Sequence, residues 1–183
     1  TIMSVFGSLI DQTEVISILK DAVEASRMVD NKTQSMTNTW LFTGPPGSGR
    51  SNAAIAFAAA LVCKDGGCSK CNDCMSTLIG THADVELIKT AGLSIKIDEV
   101  RELISRASWA PSVANYRVVV MEDADRLTES AANALLKVIE EPGLRTIWLL
   151  CAPTLTDVLP TIRSRCRHLS LRTPSTKAIA KLL

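Results

Sequence analysis

The segment Gly44-Pro45-Pro46-Gly47-Ser48-Gly49-Arg50-Ser51 lies between a short apolar run, Trp40-Leu41-Phe42, and an alanine-rich stretch over 53–61. Read as strand, glycine-rich turn and helix, it follows the phosphate-loop spacing GxxxxGK[ST]. In that motif backbone N–H groups at a helix N-terminus surround phosphate oxygens and the final hydroxyl reaches Mg²⁺. The competing reading is a plain strand-to-helix turn. One position departs from the motif, because Arg50 stands where lysine is expected. A lysine ammonium is a compact point charge, whereas a guanidinium is planar and demands forked geometry. The spacing thus predicts a phosphate cradle with an altered cation, and leaves open whether ATP and Mg²⁺ occupy it.

Around this loop, apolar runs alternate with helix-like sequence. Strands are expected near 40–42, 85–88, 117–121, 146–151 and 168–171, and helices near 11–28, 49–62, 97–109, 129–140 and 156–162. Asp11 reads as a helix cap, and Pro111, Pro142 and Pro153 punctuate the connections. Such alternation predicts an α/β domain with a five-stranded, mainly parallel sheet covered by helices on both faces. Met3-Ser4-Val5-Phe6 reads as a natural start, so Thr1 and Ile2 are set aside. Residues 3–172 are taken as one domain, and Thr173-Pro174-Ser175 opens a second, of which 173–183 is the beginning.

Cys63, Cys68, Cys71 and Cys74 crowd into positions 63–74, with Gly66 and Gly67 supplying a turn. Four soft ligands at this spacing close tetrahedrally on Zn²⁺, and a closed site is structural rather than catalytic. An iron–sulfur cluster is the chemical competitor. Cys151 is expected in a core strand, and Cys166 lies beside Arg165. The run 117–121 ends in Glu122-Asp123, where carboxylates at a parallel strand's exit hold Mg²⁺ and polarise water; the plainer reading is a helix cap. Ser164-Arg165-Cys166 precedes the last strand, and a guanidinium facing outward there enters a neighbouring subunit's site as an arginine finger. Standing alone, such an arginine is more often a surface salt-bridge partner.

Taken in this order, the motifs resemble the clamp-loader branch of AAA+ proteins over residues 5–171. The stretch from Arg117 through Asp125, Arg126 and Leu127, then Ala131 to Lys137 and Glu140-Glu141-Pro142, is similar to delta-prime subunits in particular. The resemblance implies a AAA+ core, a helical lid domain beginning at 173 and a further collar domain. It implies a stator-like member of a hetero-pentamer with delta and gamma or tau subunits, which places a sliding clamp on primer-template DNA. It also implies that Arg165 serves an adjacent ATPase subunit in trans. Active relatives place Asp before Glu where this chain has Glu122-Asp123, and a polar sensor residue where it has Ala152-Pro153. Together with Arg50, these departures lead to an expectation of impaired hydrolysis.

Two other readings remain. One is an active gamma- or tau-like ATPase that tolerates Arg50. The other is a zinc-dependent nucleic-acid-binding module, disfavoured because the cysteine segment balances Lys64 and Lys70 against Asp65 and Asp73 and carries no aromatic residue. With 20 Lys and Arg against 19 Asp and Glu, no global positive field attracts polyanions. No apolar run approaches the roughly 18 residues that span a bilayer, and no signal peptide is visible, so a cytoplasmic protein without membrane contact is expected.

Overall fold

The computed structural model describes residues 4–9, 12–28, 38–45, 47–90, 92–109, 111–141 and 145–173. Strands β1 (Thr39–Thr43), β2 (Val85–Ile88), β3 (Arg117–Met121), β4 (Thr146–Ala152) and β5 (Arg167–Ser170) form a sheet in the order β2-β3-β4-β1-β5. Every pairing among them is parallel. All three central strands are buried along their whole length, as expected when both faces of a parallel sheet are covered.

Strand periodicity assigns the two faces. Trp40, Phe42, Val118, Val120, Ile147 and Leu149 point toward α1 (Thr13–Met28) and α2 (Arg50–Val62). Their neighbours Leu41, Val119, Met121, Trp148 and Leu150 point the other way, toward helices α4 (Ile97–Ala107), α5 (Glu129–Glu140) and α6 (Pro160–Arg163). Because α2 is built largely of alanine, it lies close against the sheet. Its Phe57 ring meets Trp40 edge-on with centroids 5.0 Å apart. Thr128 caps α5 by accepting a hydrogen bond from the Ala131 N–H at 3.2 Å.

Three expectations need correction. The helix expected over 156–162 is instead a 3-10 turn, Leu155–Asp157, followed by the short α6. Pro160 lacks an N–H and its ring crowds the preceding turn, so it begins a helix and cannot continue one. The helix expected over 97–109 ends at Ala107, leaving Trp109 largely exposed. Finally, α3 (Asn72–Leu78) lies within and beyond the cysteine segment, where no helix was expected. The expected cap at Asp11, the loop residue Pro46 and the lid beginning at 174–183 lie outside the described residues.

Candidate functional site

Because the strands are parallel, the sheet has an exit edge and an entry edge, and the candidate residues divide between them. At the exit edge of β1 the chain turns through Gly47 and Gly49, both in left-handed backbone (φ +84° and +81°), into α2. Only glycine adopts these angles freely. Gly44 is required for a different reason: a Cβ there would run into Ser48 Oγ and approach the Leu171 carbonyl oxygen to 2.9 Å. The loop is tied to the β4 exit by a hydrogen bond from the Gly44 N–H to the Pro153 carbonyl at 3.2 Å.

The altered cation does not project from this turn. Arg50 folds back, and its Nη1 donates to the Gly44 carbonyl of its own loop. Among the described residues, its buried Nε and the buried Ser48 hydroxyl find no hydrogen-bond partner. Buried orphan polar atoms are rare, and their presence beside a glycine turn at a helix N-terminus suits an anion. The backbone cradle therefore fits a phosphate group, whereas the position that would direct a cation at it is turned inward.

Glu122 and Asp123 leave β3 at this same edge, half-buried. The Glu122 N–H donates to the Ile88 carbonyl at 2.9 Å, and the Asp123 carboxylate accepts from the Thr90 N–H at 3.3 Å. Asp123 is thus engaged with the loop after β2. Cys151, near the end of β4, reports the shared neighbourhood. Burial pushes its thiol up to about 12, the Glu122 carboxylate adds to the rise, Arg50 opposes it, and Asp123 adds again. Ala152 and Pro153 follow with no polar side chain to offer.

Arg165 belongs to the opposite edge. It precedes β5, whose first residue, Arg167, pairs with Trp40 near the start of β1. Its Nη1 donates to the Thr161 carbonyl at 2.7 Å, and its Nη2 pairs with Glu140 Oε1 at 2.8 Å, with the two side chains 40% and 43% exposed. The sequence offered no sign of Glu140 as its partner.

The cysteine module shares this entry edge, reached at the end of α2. The Sγ atoms of Cys63, Cys68, Cys71 and Cys74 lie within 4.8 Å of one another. Cys63–Cys68 and Cys71–Cys63 separations are 3.8 and 3.6 Å, close to the about 3.8 Å that four Zn–S bonds of about 2.3 Å impose. Backbone N–H groups of Asp65, Cys71 and Cys74 point at the sulfurs of Cys63, Cys68 and Cys71 at 3.3–3.4 Å. Donors so placed favour thiolate. At Cys63, burial raises the thiol, yet the N–H groups of Cys68, Gly67 and Asp65 outweigh it and bring it to about 7, whereas at Cys71 and Cys74 burial prevails and the thiols are raised. The four residues fit a structural zinc ion.

Behind the module stands a support that sequence reasoning missed. His82 is buried between Asp73 of α3 (Nε2 to Oδ1, 2.9 Å) and the Asp84 N–H, which donates to its Nδ1 at 3.0 Å. The Asp84 carboxylate in turn accepts from the N–H groups of Ser112, Val113 and Ala114 at 2.6–2.7 Å. Burial alone would raise this carboxyl, but the three donors hold it below the usual range. The spacing His82-x-Asp84 just after the cysteines was the available signal.

Comparison with known proteins now decides the family. Residues 14–175 match the family described as DNA polymerase III, delta subunit. The chain belongs to this family. It is 32% identical to the DNA polymerase III subunit delta' of Bacillus subtilis, over 92% of this chain and 50% of that protein. It is 36% identical to subunit delta' of Pseudomonas aeruginosa, over 70% of this chain and 41% of that protein. Subunit gamma/tau of Mycobacterium tuberculosis is 31% identical, over 97% of this chain and 30% of its own length. The chain thus spans half or less of the curated relatives it matches. Among solved structures, a gamma subunit-related protein of Thermotoga maritima superposes with a TM-score of 0.63 at 22% identity, covering 87% of this chain and 46% of that one. The RuvB Holliday junction branch migration motor of the same organism superposes with a TM-score of 0.64 at 20% identity, covering 94% and 49%. These similarities establish the AAA+ phosphate-loop fold. Among the described residues no helix is long and apolar enough to cross a membrane.

Proposed function

We propose that this family member is a supporting subunit of the DNA polymerase III clamp loader, with little hydrolysis of its own and an arginine that serves a neighbour. The observation carrying this reading is the division of labour between sheet edges. The phosphate cradle, Glu122 and Asp123 sit at the exit edge, while Arg165 sits at the entry edge, away from its own chain's cradle, which supports a role toward a neighbour's site. At the cradle Arg50 is spent on the Gly44 carbonyl and Asp123 on the Thr90 N–H. Hydrolysis needs a cation at the phosphates and a base aligned on water, and misplacing either lowers the rate steeply. By resemblance, its partners are delta and gamma or tau subunits in a hetero-pentamer, the sliding clamp, and primer-template DNA reached through the assembly. In the same reading Zn²⁺ in the cysteine module is structural, residues 3–172 form the AAA+ domain, and 173–183 begin the lid. The working place is the cytoplasm.

A gamma/tau-like active ATPase is the second reading, favoured by the gamma/tau relative that matches nearly the whole chain. Phosphate release separates the two. The purified protein is expected to show no turnover alone, with or without primed DNA. In an assembly with delta and gamma subunits, Arg165→Ala is expected to lower turnover at least tenfold, an arginine finger being worth about 10³–10⁵ in rate at the site it serves. Brisk turnover by the isolated protein overturns the supporting-subunit reading, and unchanged turnover of the assembly overturns the role of Arg165.

A further inference from the structure

Gln12 stands immediately before α1, buried to 4% exposure. Its Nε2 donates to the Arg172 carbonyl at 2.6 Å and to the Ser48 carbonyl at 3.3 Å, and its Oε1 accepts from the Arg172 N–H at 3.4 Å. One side-chain amide thus joins two main-chain segments that lie 36 and 160 positions away from it in sequence. Toward Arg172 it presents one donor and one acceptor, imitating a peptide group and extending hydrogen bonding past the end of β5. Toward Ser48 it reaches the middle of the glycine loop. No slack separates the two segments, because the Leu171 N–H donates to the Thr43 carbonyl at 2.7 Å and the Leu171 carbonyl abuts Gly44.

We propose that Gln12 is a clasp that couples the conformation of the phosphate loop to the chain leaving β5 toward the lid. The lid itself rests on the reading given above, whereas the coupling concerns only residues 12–172. The chemistry is specific to a primary amide of this length. Glutamate keeps an acceptor but sets a carboxylate against two carbonyl oxygens, leucine keeps the shape without hydrogen bonds, and asparagine is one methylene short. A buried carbonyl that loses its donor is penalised. Movement of the loop at Ser48 is therefore felt at Arg172, and by reciprocity movement at Arg172 is felt in the loop.

Amide hydrogen exchange of the 183-residue chain tests this. Gln12→Leu is expected to speed exchange at the Arg172 amide roughly tenfold, the scale of one lost hydrogen bond. Arg50→Ala, which frees the Gly44 carbonyl and loosens the loop from within, is expected to speed exchange at Arg172 as well. In the double variant the two effects should not multiply, because the connection is already cut. Gln12→Glu keeps the acceptor for the Arg172 N–H but loses the donor to Ser48, so exchange at Arg172 should stay slower than in Gln12→Leu while no longer responding to Arg50→Ala. Unchanged exchange at Val119, in the middle of β3, certifies that each variant is folded. Indifference of Arg172 to Arg50→Ala, or independent multiplication of the two effects, overturns the clasp. Since every readout lies at or before residue 172, the outcome holds whether or not a lid follows, and folding of a longer chain tests the lid separately.

Discussion

The two edges of the sheet carry constellations of opposite kinds. At the entry edge, four thiols converge at separations suited to one metal ion, with N–H donors around the sulfurs and the His82 and Asp84 brace behind. At the exit edge, the backbone turn retains phosphate-loop geometry, but Arg50 and Asp123 are bonded to the protein's own main chain. One site brings its four candidate ligands together, while at the other Arg50 and Asp123 are engaged with main-chain groups. The contrast shows that a motif has separable layers. Backbone shape follows from glycine positions and packing, whereas chemistry depends on where a few side chains point.

The largest effect should come from the cysteine site. Metal analysis is expected to give one zinc per chain, and chelation or Cys74→Ser should lower the thermal midpoint by roughly 10 °C or more, since structural zinc contributes folding energy directly. Absence of zinc would remove the contrast between the edges. Next comes the brace: Asp84→Asn should cost about 2 kcal/mol at neutral pH, measured by urea unfolding, because three part-buried N–H donors lose the buried charged acceptor they share. The Asp84 carboxyl is held below its unfolded value, so its contribution is present above that value, near 3.9, and is lost as pH falls through the folded one. Asp84→Asn should accordingly flatten the acid limb of the stability curve, and an unaltered limb would count against the brace.

At the exit edge Gly44→Ala should cost about 1–3 kcal/mol and displace the loop, because the added carbon meets Ser48 and the Leu171 carbonyl. A neutral result there would mean that the loop tolerates reshaping and that its glycine frame is not enforced. The smallest effect is expected for Glu140→Ala. Its ion pair with Arg165 is some two-fifths exposed, and such pairs contribute about 0.2–1 kcal/mol. A loss well beyond that range would make Arg165 a structural residue and weaken its assignment to a neighbour.

Much of the fold was legible because its signals are local. Strands such as Val85–Ile88 and Arg117–Met121 are dominated by apolar residues, with one charged residue each, and the loop and cysteine spacings lie within a dozen positions. The helix Asn72–Leu78 escaped notice because its buried side chains are Cys74 and Thr77, which do not register as an apolar face. The break at Pro160 was overlooked because the flanking apolar residues mimic continuous helical spacing. At the candidate site, the frame was readable but the orientation of Arg50 was not. A flexible side chain has many rotamers, and its partner is a carbonyl that any residue carries. Gln12 and Glu140 gave no signal, since each finds its partner only after distant segments meet.

Cys151 has a practical consequence. Its thiol is fully enclosed between α2 and the ends of the central strands, and burial has raised it to about 12, so it is neither reachable nor ionised in the native molecule. A thiol reagent therefore acquires this sulfur only when the sheet itself parts, and the rate of that labelling is a built-in stopwatch for the opening of the domain's centre.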